Sequence, residues 1–168
     1  INFFRFNANE TVEREQIVLG ECQLQKMNRK FLLFYTGIRR SAYDILQEQK
    51  MTMNSKLLIL NEMKDQAVKI KDRLMKEGFG EWMGSELNAG WMRKKRLTEN
   101  ISNQTIDALY VKALEAGAIG GKILGAGGGG FLLVYCDEEK QNAVKEAVGL
   151  KEIGFAVSQY GSQVVYFE

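Results

Sequence analysis

The stretch best suited to chemistry is the glycine-rich run GAGGGG at residues 125–130, with Lys122 three positions before it. Apolar sequence, KIL before and FLLVYC after, flanks the run, which indicates an ordered loop inside a core and not a flexible linker. Glycine has no Cβ, so its backbone can come very close to a ligand. Successive exposed N–H groups form a concave anion site, and a phosphate is the ligand that such a loop favours.

The two common phosphate-binding loops do not fit this run. Gly125, Gly127 and Gly130 match the dinucleotide pattern G-x-G-x-x-G, which requires a following helix, but FLLVYC predicts a strand. A P-loop requires Gly-Lys-Ser or Gly-Lys-Thr after the glycines, whereas Lys122 precedes them. We therefore expect the run to connect two adjacent antiparallel strands. A hairpin turn that needs positive φ angles remains the competing interpretation, with Lys122 as an ordinary edge-strand charge.

A second group of candidates follows the apolar run FLLFY. Thr36, Arg39, Arg40 and Ser41 lie where a predicted strand ends and a helix begins. Guanidinium groups and helix amides at such a point can hold an anion such as a phosphate. The alternative is that Thr36 or Ser41 only caps the helix and that the arginines are solvated. The basic run RKKR at residues 93–96 could reach the same phosphate, although cations also suit the C-terminal end of a helix.

Composition limits the classes of function. A chain of 168 residues with 45% hydrophobic and 26% charged residues suits one globular domain, residues 1–168. A net charge of +2 argues against a nucleic-acid partner, and the apolar runs are too short to span a membrane. Two cysteines, Cys22 and Cys136, favour free thiols and a cytoplasmic location. The absence of histidine excludes a histidine base, triad or zinc ligand within this segment.

The elements that must position these candidates follow from periodicity and turn residues. Residues 1–18 predict a hairpin that turns at residues 7–10, and FLLFYT predicts a buried strand. Four helices are expected between Arg39 and Gly117, with Ser102 or Asn103 as the cap of the fourth. Strands AIGGKILG and FLLVYCD, helix EEKQNAVKEAV and a closing strand pair, FAVSQY and SQVVYFE, complete the chain. Apart from the hairpin, this order predicts an α+β sandwich of the split βαβ kind.

Three stretches carry a resemblance to a known family. GGKILGAGGGGFLLVY resembles the third signature of the GHMP kinases, small-molecule kinases named for galactokinase, homoserine kinase, mevalonate kinase and phosphomevalonate kinase. FLLFYTGIRRSAYDILQEQ and ISNQTIDALYVKALEAGAIGGKILGAGGGG resemble the heptose 7-phosphate kinase subgroup. The resemblance extends from Phe31 to Cys136. Directly before the Arg-Ser-Ala of FLLFYTGIRRSAYDILQEQ the subgroup usually has a small residue, whereas this chain has Arg39.

The resemblance implies the C-terminal half of a kinase, with a ferredoxin-like split βαβ sandwich and a helical insertion. It implies ATP and Mg²⁺, with the main metal ligands in an N-terminal half that carries a Gly-Ser-Ser phosphate loop. This chain has no such loop and no proline, so we expect no catalytic residue and no metal ligand here, and no activity from this segment alone. The implied nucleotide contacts are Lys122, Gly125, Ala126, Gly127, Gly128 and Gly129. The implied substrate contacts are Thr36, Arg39, Arg40 and Ser41.

The reaction that the resemblance implies is transfer of the ATP γ-phosphate to the anomeric hydroxyl of a heptose 7-phosphate. The expected partners are the sugar phosphate and the N-terminal half, with a homo-oligomer also possible. A galactokinase-, fucokinase- or mevalonate kinase-like relative is one alternative, and a stand-alone ferredoxin-like regulatory domain that binds a small ligand is another. A Gly-Ser-Ser loop upstream of Ile1 would favour a kinase. Separation from an N-terminal half should also leave an exposed apolar patch.

Overall fold

A computed structural model of the chain describes residues 1–158, 164 and 166. Its strands are β1 (Asn2–Phe6), β2 (Val12–Gln16), β3 (Phe31–Tyr35), β4 (Ala118–Ile123) and β5 (Phe131–Cys136). Its α-helices are α1 (Glu21–Lys30), α2 (Ala42–Thr52), α3 (Leu57–Glu77), α4 (Trp82–Lys95), α5 (Gln104–Glu115) and α6 (Gln141–Val148). Short 3-10 helices cover Met53–Lys56, Glu99–Ile101 and Glu138–Lys140. The architecture is therefore a mixture of helices with two small antiparallel sheets, which is an α+β fold.

The two sheets are separate. Strands β1 and β2 form the predicted antiparallel hairpin, with Asn2 opposite Gln16, and Glu10 adopts a φ of 66° in its turn. The second sheet has the order β3-β5-β4, and both of its pairings are antiparallel. Leu133 of the central strand lies opposite Leu33 on one side and Lys122 on the other. The predicted antiparallel connection between the two strands that flank the glycines is confirmed.

Two helices, α2 and α5, begin at the expected capping residues. The Ser41 hydroxyl accepts a hydrogen bond of 3.4 Å from the Asp44 amide at the start of α2. Of the two candidate caps for α5, Asn103 is the cap, because its side chain accepts a bond of 3.0 Å from the Ile106 amide. Helix α4 begins at Trp82 without a side-chain cap.

Helix α1 was not predicted. It buries Leu24 and Met27, which are three positions apart, and Met27 belongs to a hydrophobic cluster with Leu74 and Phe79. Its N-cap is Gly20, which offers no side-chain acceptor, and its last residue is followed directly by the first residue of β3. Without a polar cap or an intervening turn residue, the chain lacks the local signals that mark the ends of a helix.

The predicted closing strand pair is not found in the described residues. Residues 155–158, the described part of FAVSQY, are not in a strand, so that part of the prediction was wrong. In SQVVYFE, the described residues Val164 and Tyr166 are not in a strand either. The other predicted positions of this pair lie outside the described residues. Residues 151–153 instead lie beside β3. The Tyr35 amide donates to the Lys151 carbonyl at 3.2 Å, and the Ile153 amide donates to the Leu33 carbonyl at 2.8 Å.

Helix α4 lies unusually close to the edge strand β4. A Cβ placed on Gly120 would be 2.0 Å from the Gly84 carbonyl oxygen, so both positions bring backbone against backbone. Trp91 of α4 is almost fully buried, and its ring lies 6.4 Å from that of Tyr110 between centroids, so it is part of the core. This packing sets the C-terminal end of α4 beside the end of β4.

Large apolar side chains are exposed between α2 and the first turn of α3. The exposed fractions are 69% for Tyr43, 54% for Leu46, 83% for Met51 and 72% for Leu58.

No helix in the part of the chain that the structure describes is long and apolar enough to cross a membrane.

Candidate functional site

The glycine loop, residues 125–130, connects β4 to β5. A hydrogen bond of 2.9 Å from the Leu124 amide to the Phe131 carbonyl closes its base. Strand β5 begins at Phe131, immediately after Gly130, so no helix follows the glycines. This geometry agrees with the rejection of the dinucleotide-binding loop.

Hydrogen bonds fasten the glycine loop to two other parts of the chain. The Gly130 carbonyl accepts bonds from the Thr36 amide at 2.9 Å and from the Thr36 hydroxyl at 2.8 Å. The Gly130 amide donates to the Ile38 carbonyl at 2.9 Å, and the Gly128 amide donates to the Ile101 carbonyl at 2.8 Å. The loop is therefore held between the exit of β3 and the turn before α5.

The middle glycines are required by close packing within the protein itself. A Cβ on Gly129 would lie 2.4 Å from the Ile38 carbonyl oxygen, and a Cβ on Gly127 would lie 2.9 Å from the Ile101 carbonyl oxygen. Real Cβ atoms do not approach other atoms so closely. Gly127 also has a φ of 117°, which side chains rarely adopt. These positions need glycine whether or not a ligand is present.

The outer glycines are in a different situation. Gly125 and Gly130 have φ angles of 70° and 82°, but a Cβ on either would meet no atom within 4 Å. The amides of Ala126, Gly127 and Gly129 make no hydrogen bond to any residue that the structure describes. Unpaired amides in a loop with open space at both of its ends are the property expected of an anion-binding loop.

The predicted substrate arginines lie at the same cleft as the glycine loop. This cleft has a volume of about 460 Å³ and is lined by the loop together with Tyr35, Ile38, Arg39, Arg40, Ala42 and Leu124. Arg39 is exposed and forms no ion pair with a described residue, whereas the Arg40 guanidinium donates to the Asn100 side chain at 3.0 Å. Folding thus brings together two groups of candidates that are far apart in the sequence.

The two predicted hydroxyl groups are already engaged. Thr36 is buried, and its hydroxyl donates to Gly130 while accepting from the Ile38 amide at 3.3 Å. The Ser41 hydroxyl caps α2 and lines a smaller neighbouring pocket with Arg40 and Glu48. Both hydroxyls position the backbone around the cleft.

One residue of the site was not singled out by sequence. Lys94, in the last turn of α4, donates a hydrogen bond from Nζ to the Gly125 carbonyl. Burial, and secondarily the nearby charge of Lys122, lowers the pKa of Lys94 to about 8. Burial also lowers the pKa of Lys122. The run RKKR was noted as basic, but periodicity alone does not say which of its four charges faces the loop.

Magnesium does not fit the residues described at this cleft. Its lining contains no carboxylate, although Mg²⁺ prefers carboxylate, phosphate and water oxygens. Among the described residues, no group of three or more His, Cys, Asp or Glu side chains could hold a metal ion. A phosphate fits better, because the lining offers guanidinium groups and unpaired amides.

Comparison with known proteins assigns the family. Residues 73–152 match the family described as GHMP kinases C terminal. A D-glycero-alpha-D-manno-heptose 7-phosphate kinase of Campylobacter jejuni is 30% identical over 156 residues, which is 92% of this chain and 45% of that protein. The chain therefore belongs to the GHMP kinase family and corresponds to its C-terminal domain.

Two further comparisons agree. An L-fucokinase/L-fucose-1-P guanylyltransferase of Bacteroides fragilis is 33% identical over 118 residues, 68% of this chain and 12% of that protein. A crystal structure of a Campylobacter jejuni protein superposes with a TM-score of 0.69 and 25% identity, covering 95% of this chain and 46% of that one. The chain thus spans less than half the length of these relatives.

Proposed function

We propose that the protein containing this chain is an ATP-dependent kinase that phosphorylates the anomeric hydroxyl of a heptose 7-phosphate. The observation that carries the proposal is the single cleft where Arg39 and Arg40 meet the glycine loop. Phosphoryl transfer requires an anionic donor and an oriented acceptor side by side. The similarity to a heptose 7-phosphate kinase supports the choice of sugar.

The residues of this chain act by binding and orientation. The loop residues Gly125, Ala126, Gly127, Gly128 and Gly129 lie against the nucleotide phosphates. Within this loop the unpaired amides of Ala126, Gly127 and Gly129 donate hydrogen bonds, and Lys122 adds positive charge. Arg39 and Arg40 hold the phosphate of the sugar, since guanidinium groups form paired hydrogen bonds to phosphate oxygens. Thr36 and Ser41 position these groups through their own hydrogen bonds. ATP supplies the transferred phosphoryl group when bound.

An N-terminal half of the same protein covers the cleft and completes it with the catalytic groups and Mg²⁺ ligands. The protein acts in the cytoplasm, which the free thiols of Cys22 and Cys136 support.

We also infer a ferredoxin-like arrangement of the main sheet. Residues 151–153 pair with β3, so the spatial order is residues 151–153, β3, β5 and β4. In chain order this is fourth, first, third and second, with helices between the first and second and between the third and fourth. That order is the one of a split βαβ sandwich.

An assay of the full-length protein tests the function. Purified protein is given ATP with heptose 7-phosphate, L-fucose, galactose or mevalonate, and phosphorylated products are quantified. Heptose 7-phosphate should give the highest kcat/KM of the acceptors. The Arg40→Gln variant should have a raised KM for heptose 7-phosphate and a nearly unchanged KM for ATP. Preference for fucose would contradict the proposed substrate and favour a fucokinase. No transfer to any acceptor would favour a ligand-binding regulatory domain.

A further inference from the structure

Two lysines from different elements flank the Gly125 end of the glycine loop. Lys94 lies in the last turn of α4, and Lys122 lies on β4 directly opposite Leu133. The Lys94 ammonium is anchored by the carbonyl of Gly125, the first residue of the glycine loop. An ammonium group has three N–H donors, so this bond leaves two of them for another acceptor. Both side chains are partly buried.

Neither lysine forms an ion pair with any residue that the structure describes. The other three charges of the run at residues 93–96 do have such partners. Arg93 and Arg96 face Glu62 at 3.3 Å and 3.9 Å, and Lys95 faces Asp107 at 3.0 Å. Lys94 is thus the member of the run whose charge is directed to the glycine loop and left uncompensated in the described part of the chain.

Two neighbouring ammonium groups, partly withdrawn from water, disfavour one another. Burial penalises each charge, and the Lys122 charge adds repulsion that further lowers the pKa of Lys94. An anion bound at both ammonium groups offsets these penalties. The unpaired amides of Ala126 and Gly127 follow Gly125 directly, so hydrogen-bond donors for the oxygens of such an anion lie beside the ammonium groups.

We propose that Lys94 and Lys122 form a two-ammonium site that binds a phosphate dianion at the Gly125 end of the glycine loop. The class of ligand is a phosphate monoester or a terminal nucleotide phosphate. The site itself rests on the hydrogen bond from Lys94 to the Gly125 carbonyl and on the position of Lys122 on β4, three residues before the glycine loop. Only the source of the phosphate, ATP or the sugar phosphate, rests on the proposed kinase function.

The first measurement uses inorganic phosphate as the probe and needs no kinase activity. Full-length protein is titrated with phosphate at pH 7.5 (a value below the pKa of about 8 for Lys94), and binding is followed by NMR of ¹³C-labelled lysines. Phosphate should raise the pKa of Lys94, because the dianion stabilises the charged form. Lys94→Met and Lys122→Met should each weaken phosphate binding about tenfold, the loss of one charge-assisted contact.

Matched variants separate binding from structure. Lys95→Met removes an adjacent charge that pairs with Asp107 and should leave phosphate affinity unchanged. Lys94→Arg keeps the charge and should restore most of the affinity lost in Lys94→Met. Melting temperatures show that the compared variants are folded. Unchanged phosphate affinity in both folded methionine variants, or an equal loss in Lys95→Met, would overturn the site.

Steady-state kinetics then identify the source of the phosphate. A rise of about tenfold in the KM for ATP alone in Lys94→Met supports a nucleotide phosphate, and the same rise for the sugar phosphate alone supports the substrate. An unchanged KM for both substrates overturns the assignment of a substrate phosphate to this site. Lysine-dependent phosphate binding in a protein without kinase activity would instead contradict the proposed function and leave the anion site standing.

Discussion

The Thr36 hydroxyl donates a hydrogen bond of 2.8 Å to the Gly130 carbonyl across 94 positions of sequence. The Thr36 amide donates to the same oxygen at 2.9 Å. These two bonds join the exit of β3, where the candidate arginines begin, to the end of the glycine loop. The two halves of the candidate site are therefore positioned by a shared backbone contact.

Replacing Thr36 with Val should weaken this connection. The substitution keeps the shape but removes both hydrogen bonds of the hydroxyl, the one to the Gly130 carbonyl and the one from the Ile38 amide, for an expected loss of about 1–2 kcal/mol in unfolding free energy. Thr36→Ser keeps the hydroxyl and is the matched control. Urea denaturation measures both. A Thr36→Val variant as stable as the wild type, with unchanged kinetics, would show that the amide bond alone positions the loop.

Alanine at Gly129 should be more harmful than alanine at Gly125. A Cβ at Gly129 would lie 2.4 Å from a backbone oxygen, and the backbone must move to relieve the contact. We expect a loss of about 1–3 kcal/mol, as for an overpacked core. At Gly125 the added methyl meets open space, so only the strain of a left-handed residue remains, about 1–2 kcal/mol.

The same two variants distinguish a turn from a phosphate loop. Gly125→Ala places its methyl group on the open side of the loop, so it should raise the KM for ATP even in the fraction that is folded. Thermal unfolding and steady-state kinetics on the same samples separate the two effects. Full activity per folded molecule in Gly125→Ala would argue that the glycines serve turn geometry alone.

The Lys94 ammonium should make stability dependent on alkaline pH. Its pKa is lowered from 10.5 in the unfolded chain to about 8 in the folded chain, so between these values the unfolded state binds more protons. The free energy of unfolding therefore rises as the pH increases above about 8. When the pH falls back through about 8, this gain in stability is lost.

A difference measurement isolates this contribution. The free energy of unfolding of the wild type and of Lys94→Met, measured with denaturant, is compared from pH 7 to pH 10. Tyr110 stays protonated in the folded protein over this range, because burial raises its pKa from 10.0 to about 12. The stability advantage of Lys94→Met should shrink as the pH rises. A constant difference across this range would mean that the Lys94 pKa is not lowered.

The exposed apolar side chains between α2 and α3 predict self-association of the isolated chain. Leu46 and Met51 are 54% and 83% exposed, and such side chains are costly to leave in water. Sedimentation velocity over a range of concentrations should show species larger than a monomer. Leu46→Lys with Met51→Lys should shift the chain toward the monomer, whereas Val111→Lys on α5 is the control. A monomeric wild type at high concentration would contradict this prediction.

Local sequence determined much of this protein. The hairpin, β3, β4, β5 and the antiparallel turn of glycines follow from alternation, apolar runs and turn residues, and the family follows from the glycine signature. Helix α1 could not be predicted this way, because Gly20 provides no cap and its apolar face consists mainly of Leu24 and Met27. Its stability comes from packing against distant residues.

Only tertiary structure decided which candidates act together. Sequence spacing could not place Arg39 beside the glycine loop or select Lys94 from four adjacent basic residues, since both depend on how α4 packs on β4 and how β3 pairs with β5. It also could not distinguish the glycines required by neighbouring backbone, such as Gly129, from those facing open space, such as Gly125. A local pattern specifies local conformation, whereas contacts across many positions are set by the packing of the whole core.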